Sequence, residues 1–285
     1  YDADIDAEVL ICWKASEELI DRIDGLRLIH VWGAGFDQID IEFAHKKNIV
    51  VCTTQGAMAS AIAEYVIMQI LVWERELLHW NKVAHSGIWN WNMRNSCLFT
   101  ELRDRVLGII GVGKIGTKVA CIASAFGMKI WGIKRQLHTL SEDIKGKFCF
   151  IGTPADMDML LENVDYLSLH VPLTQDTYHM IDYTRLRKLK PAAVIINTSR
   201  GDVIDEQALA CALKQGDIRG ASLDVLTQEP ITLQHPLKDI KNLILTCHHA
   251  GNTIQAIKNN IDIIRKNIEV FKKGGDVAEL INKIN

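Results

Sequence analysis

Two sets of residues have the types and spacing of a reactive site. The first is Gly111-Val112-Gly113-Lys114-Ile115-Gly116, a G-x-G-x-x-G string that closes an apolar run at 106–110 and opens into Thr117-Lys118-Val119-Ala120. Gly111 permits a sharp turn, Gly113 lets the backbone approach a pyrophosphate, and Gly116 lets the next helix lie close to the strand. The amides of Lys114 and Ile115 then face phosphate at the positive end of a helix dipole. Alone, such a string is an even choice between a phosphate cradle and an ordinary turn. The second set is three strings, Asn197-Thr198-Ser199-Arg200-Gly201, Leu223-Asp224 running on to Glu229-Pro230, and Thr246-Cys247-His248-His249-Ala250-Gly251. Together they supply a guanidinium, carboxylates and an imidazole. A further glycine loop, Gly33-Ala34-Gly35, can present amides to an anion, with a plain turn as the equal alternative.

These residues need a scaffold, and the hydrophobic pattern predicts one. After the glycine string come a helix and a buried strand at 128–133, as a βαβ unit requires. Strands are predicted at 148–151, 166–170, 193–198, 220–223 and 243–246, with helices at 157–162, 182–189 and 206–214, the first preceded by Thr153-Pro154. Each of the three reactive strings begins where one of these strands ends, on the sheet edge where ligands of parallel sheets bind. Upstream, strands at 8–13, 28–31 and 49–52 alternate with helices at 16–23 and 41–47. A single helix is predicted over 57–78, which has no Gly or Pro and carries Glu64. Residues 80–100 are weakly periodic and hold Trp80, Trp89 and Trp91, which suggests a subunit contact, the alternative being a loop packed on its own domain. A last amphipathic helix at 254–272 is expected to return to the first domain.

Composition narrows the function. At 285 residues two domains are expected. Lys and Arg (32) are scattered and outnumbered by Asp and Glu (35), for a net charge of -3, which argues against a nucleic-acid partner. No stretch is long and apolar enough for a membrane span, and no signal peptide is seen. The seven cysteines form no C-x-x-C pair and are expected as reduced core residues of a cytoplasmic protein rather than disulfides or metal ligands. The chain does not start with Met, so its first domain is expected to lack an N-terminal strand and helix.

With these strings in order, together with Gly33-Ala34-Gly35-Phe36-Asp37, Ala63-Glu64 and Leu169-His170-Val171-Pro172-Leu173-Thr174, the sequence resembles the D-isomer-specific 2-hydroxyacid dehydrogenases over nearly its whole length. The resemblance implies an α/β fold of two Rossmann-like domains with parallel sheets. The cofactor domain, 79–251 with a dimerisation arm near 80–100, would be inserted into a discontinuous substrate domain of 1–78 and 252–285. It implies Arg200, Glu229 and His248 as catalytic residues. Arg200 would grip the carboxylate of a 2-oxo acid and polarise its carbonyl, His248 would protonate the carbonyl oxygen, and Glu229 would fix the imidazole tautomer. Register with Ala250-Gly251 favours His248 over His249. Cofactor contacts would come from Gly111, Gly113, Lys114, Ile115, Gly116, His170, Val171, Pro172, Thr174, Thr198, Asp224 and Gly251, with Asp224 on the nicotinamide carboxamide. The amides of Gly33, Ala34 and Gly35 would anchor the substrate carboxylate, and Glu64 would be structural.

Two departures from the family pattern bear on function. No Asp or Glu lies between Gly116 and Glu142, and the place of the usual ribose-binding acid reads Lys134-Arg135. Basic groups there favour NADP(H), with NAD as the alternative. Cys247 stands where the family usually has Pro. The expected activity is NAD(P)H-dependent reduction of a small 2-oxo acid, of glyoxylate or hydroxypyruvate type, to the D-2-hydroxy acid by a homodimer. The alternatives are a short-type 3-phosphoglycerate dehydrogenase and, in another class, a nucleotide-sensing corepressor-like binding protein.

Overall fold

The computed structural model describes residues 5–89, 98–274 and 279–284. It divides into two compact units, one running to Ala61 and resuming at Gly251, the other spanning Ile62–Ala250. In the first, β1 (Ile5–Asp6), β2 (Val9–Cys12), α1 (Glu17–Asp21), β3 (Ile23–Asp24), β4 (Leu28–Val31), α2 (Ile41–Lys46) and β5 (Val50–Thr53) lead into α3 (Ala59–Glu74). Strands β2, β4 and β5 form a parallel sheet in the order β2-β4-β5, and β1 pairs with β3 over two residues. The very short β1 and β3 carry too few residues for a periodic signal, and the sequence pattern does not announce them.

The second unit contains α4 (Leu77–His85), β6 (Val106–Ile110), α5 (Lys114–Ala125), β7 (Lys129–Ile133), α6 (Glu142–Lys145), β8 (Phe150–Gly152), α7 (Met157–Asn163), β9 (Tyr166–Leu169), α8 (Tyr183–Leu186), β10 (Val194–Asn197), α9 (Glu206–Gln215), β11 (Gly220–Leu223) and β12 (Leu243–Leu245). Its seven strands are all parallel, in the order β12-β11-β10-β9-β6-β7-β8. Chain direction across the sheet reverses between β6 and β9, which places the turn after β6 at the switch point where such sheets bind ligands. The central strands are apolar almost throughout because both faces are covered, with Leu107, Ile109, Leu167, Leu169, Ile195 and Ile196 buried.

The expected single helix over 57–78 is two. Helix α3 ends at Glu74, and Glu76 takes a left-handed conformation (φ 47°) before α4. The break follows from what the end of α3 grips in the second unit. Trp73 donates its indole N–H to Ser222 Oγ (2.8 Å), Ser222 donates to Gln69 (3.0 Å), and the buried Glu74 accepts from the Tyr166 hydroxyl and from Arg105 (3.1 Å). Arg219 satisfies the terminal Trp73 carbonyl at 2.8 Å. Residues 62–74 therefore count with the second unit, whereas the sequence pattern placed them with the first. Helix α4 occupies part of the stretch expected to be irregular, and Trp91 lies outside the described residues.

Helix α10 (Ile254–Lys272), capped by Thr253, belongs to the first unit. Its fully buried Asn267 donates to His30 Nε2 and to the Ile281 carbonyl (both 3.0 Å) and accepts from the Ile281 amide (2.8 Å). Residues 281–284 then run antiparallel along β5, with Thr53 N bonded to Asn282 O and Ile284 N to Val51 O, so that this sheet edge is covered. Among the described cysteines only Cys52 is buried, while Cys149 and Cys247 are exposed, against the expectation of core residues. No described helix is long and apolar enough to cross a membrane.

Candidate active site

Register brings the separated strings to one edge. Ile110 pairs with Leu169, Leu169 with Asn197, Asn197 with Leu223, and Leu223 with Leu245. The glycine turn and the segments beginning at His170, Thr198, Asp224 and Thr246 consequently leave the second unit's sheet at the same level.

The last of these segments is held by Asp224, a carboxylate only 3% exposed. It accepts hydrogen bonds from the Thr246 hydroxyl (2.6 Å), the His249 amide (2.9 Å) and the Ala250 amide (2.8 Å), while its carbonyl takes the His248 amide at 2.8 Å. Tyr65 extends the network to Thr246 at 2.5 Å. The clamp matters because His248 is left-handed (φ 56°), a conformation costing a non-glycine residue about 1–2 kcal/mol. In that pose His248 Nδ1 lies 2.9 Å from Glu229 Oε2, and the other Glu229 oxygen accepts the Leu226 amide at 2.9 Å. The imidazole is 55% exposed and Nε2 makes no hydrogen bond among the described residues. His249 has its amide on Asp224, and no carboxylate pairs with its ring among the described residues. Both Asp224 oxygens thus accept hydrogen bonds from the segment that carries His248.

Asn197 shapes the Arg200 loop. Its Oδ1 accepts from the amide and the hydroxyl of Ser199 (3.0 and 2.8 Å), and its Nδ2 donates to the Arg200 carbonyl (2.8 Å). Arg200 donates from Nη1 to the Ser199 carbonyl at 2.9 Å. A Cβ on Gly201 would sit 2.0 Å from the Leu226 carbonyl carbon and 2.1 Å from the Thr227 nitrogen. Only glycine lets the Arg200 loop lie against the loop that carries Glu229. Neither Asn197 nor Gly201 announces itself beyond its place in the N-T-S-R-G string.

The glycine turn has the form of a dinucleotide cradle. Gly111 (φ 98°) could not carry a Cβ, which would meet the His170 carbonyl oxygen at 2.4 Å, and a Cβ on Gly116 would meet the Gly111 oxygen at 2.4 Å. At Gly113 a Cβ would meet nothing within 4 Å, so packing does not explain that glycine, and it starts α5 without a side-chain cap. At the same sheet edge the buried Thr198 hydroxyl has no partner among the described residues. An open glycine surface, an uncapped helix start and an orphaned hydroxyl fit a bound dinucleotide.

Other expected contacts are placed less directly. Lys134 donates to the Val112 carbonyl (2.9 Å) and so braces the turn, while Arg135 is exposed. His170 is bonded to Ser168 Oγ (2.9 Å), and burial pushes its imidazole down to about 3, so it brings no positive charge to the turn. The Thr174 amide is taken by Thr177, whose hydroxyl lies 2.6 Å from the Pro172 carbonyl, and Val171 packs beside Gly111. In the first unit Gly251 packs on Met58, and the Gly33 amide is taken by Thr54 Oγ1 (2.8 Å), which commits one of the three amides expected of this loop.

The family profile of the D-isomer specific 2-hydroxyacid dehydrogenase NAD binding domain matches residues 67–250. The chain is similar to a glyoxylate reductase from Thermofilum pendens, with 39% identity over 88% of this chain and 74% of that one. Among solved structures, an acyclic imino acid reductase in complex with NADPH and D-Arg matches with a TM-score of 0.85 and 31% identity over 98% of this chain and 86% of that one. A D-lactate dehydrogenase from Aquifex aeolicus, complexed with NAD and lactic acid, matches with a TM-score of 0.82 and 31% identity over 94% and 84%.

His170 makes the site pH-sensitive in a defined direction. An unfolded chain takes up a proton on this ring below about pH 6.5, and the folded chain refuses it down to about 3. Stability from this group is therefore fully present above pH 6.5 and falls as the pH drops, by up to about 1.4 kcal/mol per pH unit. His170→Asn should lose less stability than the parent between pH 7 and pH 5 in urea melts, and equal losses would contradict the assignment. His30 titrates in both proteins and cancels.

Proposed function

Because the chain belongs to the D-isomer specific 2-hydroxyacid dehydrogenases, we propose that it reduces glyoxylate, or a 2-oxo acid of similar size such as hydroxypyruvate, to the corresponding 2-hydroxy acid, of D configuration where the product is chiral, with a nicotinamide dinucleotide. The observation that carries this reading is the His248–Glu229 pair, held on a clamped turn at the edge where the glycine cradle opens. The reduced nicotinamide, when bound, supplies the hydride. Glu229 accepts from Nδ1, so the mobile proton sits on Nε2, the nitrogen that the substrate carbonyl oxygen meets. Arg200 supplies paired donors for the carboxylate, with the planar fork that lysine lacks. In the first unit the Ala34 and Gly35 amides serve a carboxylate in the same chemical sense. The kinship with glyoxylate reductases supports a substrate with a very small side chain.

The cofactor is NADP(H) in preference to NAD(H). Arg135 is exposed beyond β7, and no acid between Gly116 and Glu142 is available to bind a ribose diol. Lys134, engaged with Val112, contributes by fixing the turn. The chain acts as a homodimer. Met68, Leu71, Leu77, Ile122 and Phe126 line an apolar groove of about 520 Å³ on the second unit, and Leu78, Ile88 and Trp89 of the same unit are exposed, which suits a self-complementary interface.

Turnover of glyoxylate, followed by NADPH absorbance, should be abolished by His248→Ala while the variant still binds NADPH; turnover above about 1% of the parent would move the proton to another group. Arg135→Ala should raise KM for NADPH about tenfold and leave NADH within about twofold, and a parent that prefers NADH would reverse the cofactor assignment. Light scattering should give the mass of two chains, and Met68→Asp should halve it.

A further inference from the structure

The Glu229–His248 pair depends on a long irregular segment. Between β11 and β12 the chain runs from Asp224 to Asn242 without helix or strand, and Glu229 lies within it. A segment of that length does not hold a carboxylate to hydrogen-bond precision unless its backbone is tied down. The tie is a second carboxylate–imidazole pair. Glu206 Oε1 accepts the Thr227 amide at 2.8 Å, and Glu206 Oε2 lies 3.0 Å from His235 Nε2, with the two side chains 10% and 5% exposed. Its own helix does not need this carboxylate, because Asp205 already caps α9 by accepting from the Gln207 and Ala208 amides (both 3.0 Å). His235 Nδ1 accepts the Leu237 amide at 3.3 Å, so its proton is on Nε2, pointing at Glu206. One carboxylate thereby fastens the segment on both sides of Glu229, at Thr227 and at His235. The anchor on the Thr227 side continues directly, since the adjacent Leu226 amide is the one bound to Glu229.

Resting on the reading of His248 and Glu229 given above, we propose that Glu206 and His235 are positioning residues for the proton-transfer pair, holding the loop so that Glu229 stays on His248. The assignment distinguishes them from groups that only stabilise the fold, because their effect must pass through Glu229. Replacing Glu206 frees Thr227 and leaves the buried His235 N–H unpaired, and the loop drifts from His248 without altering the glycine cradle.

A double-mutant cycle on the full chain tests this. Glu206→Ala should lower kcat for glyoxylate about tenfold, with KM for NADPH within about twofold, and should move the pH at half-maximal kcat/KM toward that of Glu229→Gln. In the Glu229→Gln background the same change should cost less than about twofold more. His235→Gln, which keeps the Glu206–Thr227 bond, should give a smaller loss in the same direction, about threefold, and it carries the test if Glu206→Ala does not fold by circular dichroism. Folded variants whose losses multiply independently of Glu229→Gln, with the parent's pH profile, would overturn the assignment. His248→Ala separates the failures: if it retains turnover, the reading of the site falls, and if it is inactive while the losses are independent, only the positioning role falls.

Discussion

A buried carboxylate at the end of β11 sets the conditions for everything else at this site. Asp224 is an ion almost without solvent, and such burial is tolerable only if its lone pairs are used. They are, by one hydroxyl and two successive amides of the segment after β12. The consequence is a turn with almost no freedom, and that rigidity keeps His248 in a backbone conformation it would leave if released. The strain and the clamp belong together: the left-handed residue aims the imidazole at Glu229, and the charged hydrogen bonds offset its cost.

The parallel sheet contributes position rather than chemistry. Because β6, β9, β10, β11 and β12 are paired in register at their last residues, the segments that follow start from a common line. What happens beyond that line depends on contacts a few ångströms long. Gly201 allows two loops to touch backbone to backbone, and Asn197 folds the Ser199–Arg200 turn around its own amide. The loop that carries a guanidinium and the loop that carries a carboxylate lie backbone to backbone because of a missing methyl group and a side-chain amide, neither of which does chemistry.

Much of this was legible in the residues, for identifiable reasons. Parallel strands buried on both faces are continuous apolar runs, so the pattern places 28–31 and 220–223 at their observed ends and the other expected strands within two residues. The reactive strings were legible because each follows such a run. What was not legible depends on long-range partners. The helix over 57–78 breaks because Glu74, Trp73 and Gln69 are claimed by Tyr166, Arg105 and Ser222, residues far away in sequence. Lys134 faces inward to Val112, the Gly33 amide goes to Thr54, and the Asp224 carboxylate turns to its own neighbouring loop. In each case residue type indicated a donor or an acceptor correctly, and only the fold decided which partner it met.

Among its described residues the second unit holds two carboxylate–imidazole pairs of nearly equal length, and their difference lies in exposure to water. Glu229 and His248 are 39% and 55% exposed, so the ring has an open nitrogen through which a proton can leave and return. Glu206 and His235 are almost wholly buried, and both His235 nitrogens are engaged, one by a carboxylate and one by the Leu237 amide. With both ring nitrogens engaged inside the fold, the pair acts by where it holds the chain. The same two side-chain types therefore serve as a proton carrier in one place and as a fastening in the other. Exposure of one ring nitrogen, rather than the distance between the partners, separates the two roles.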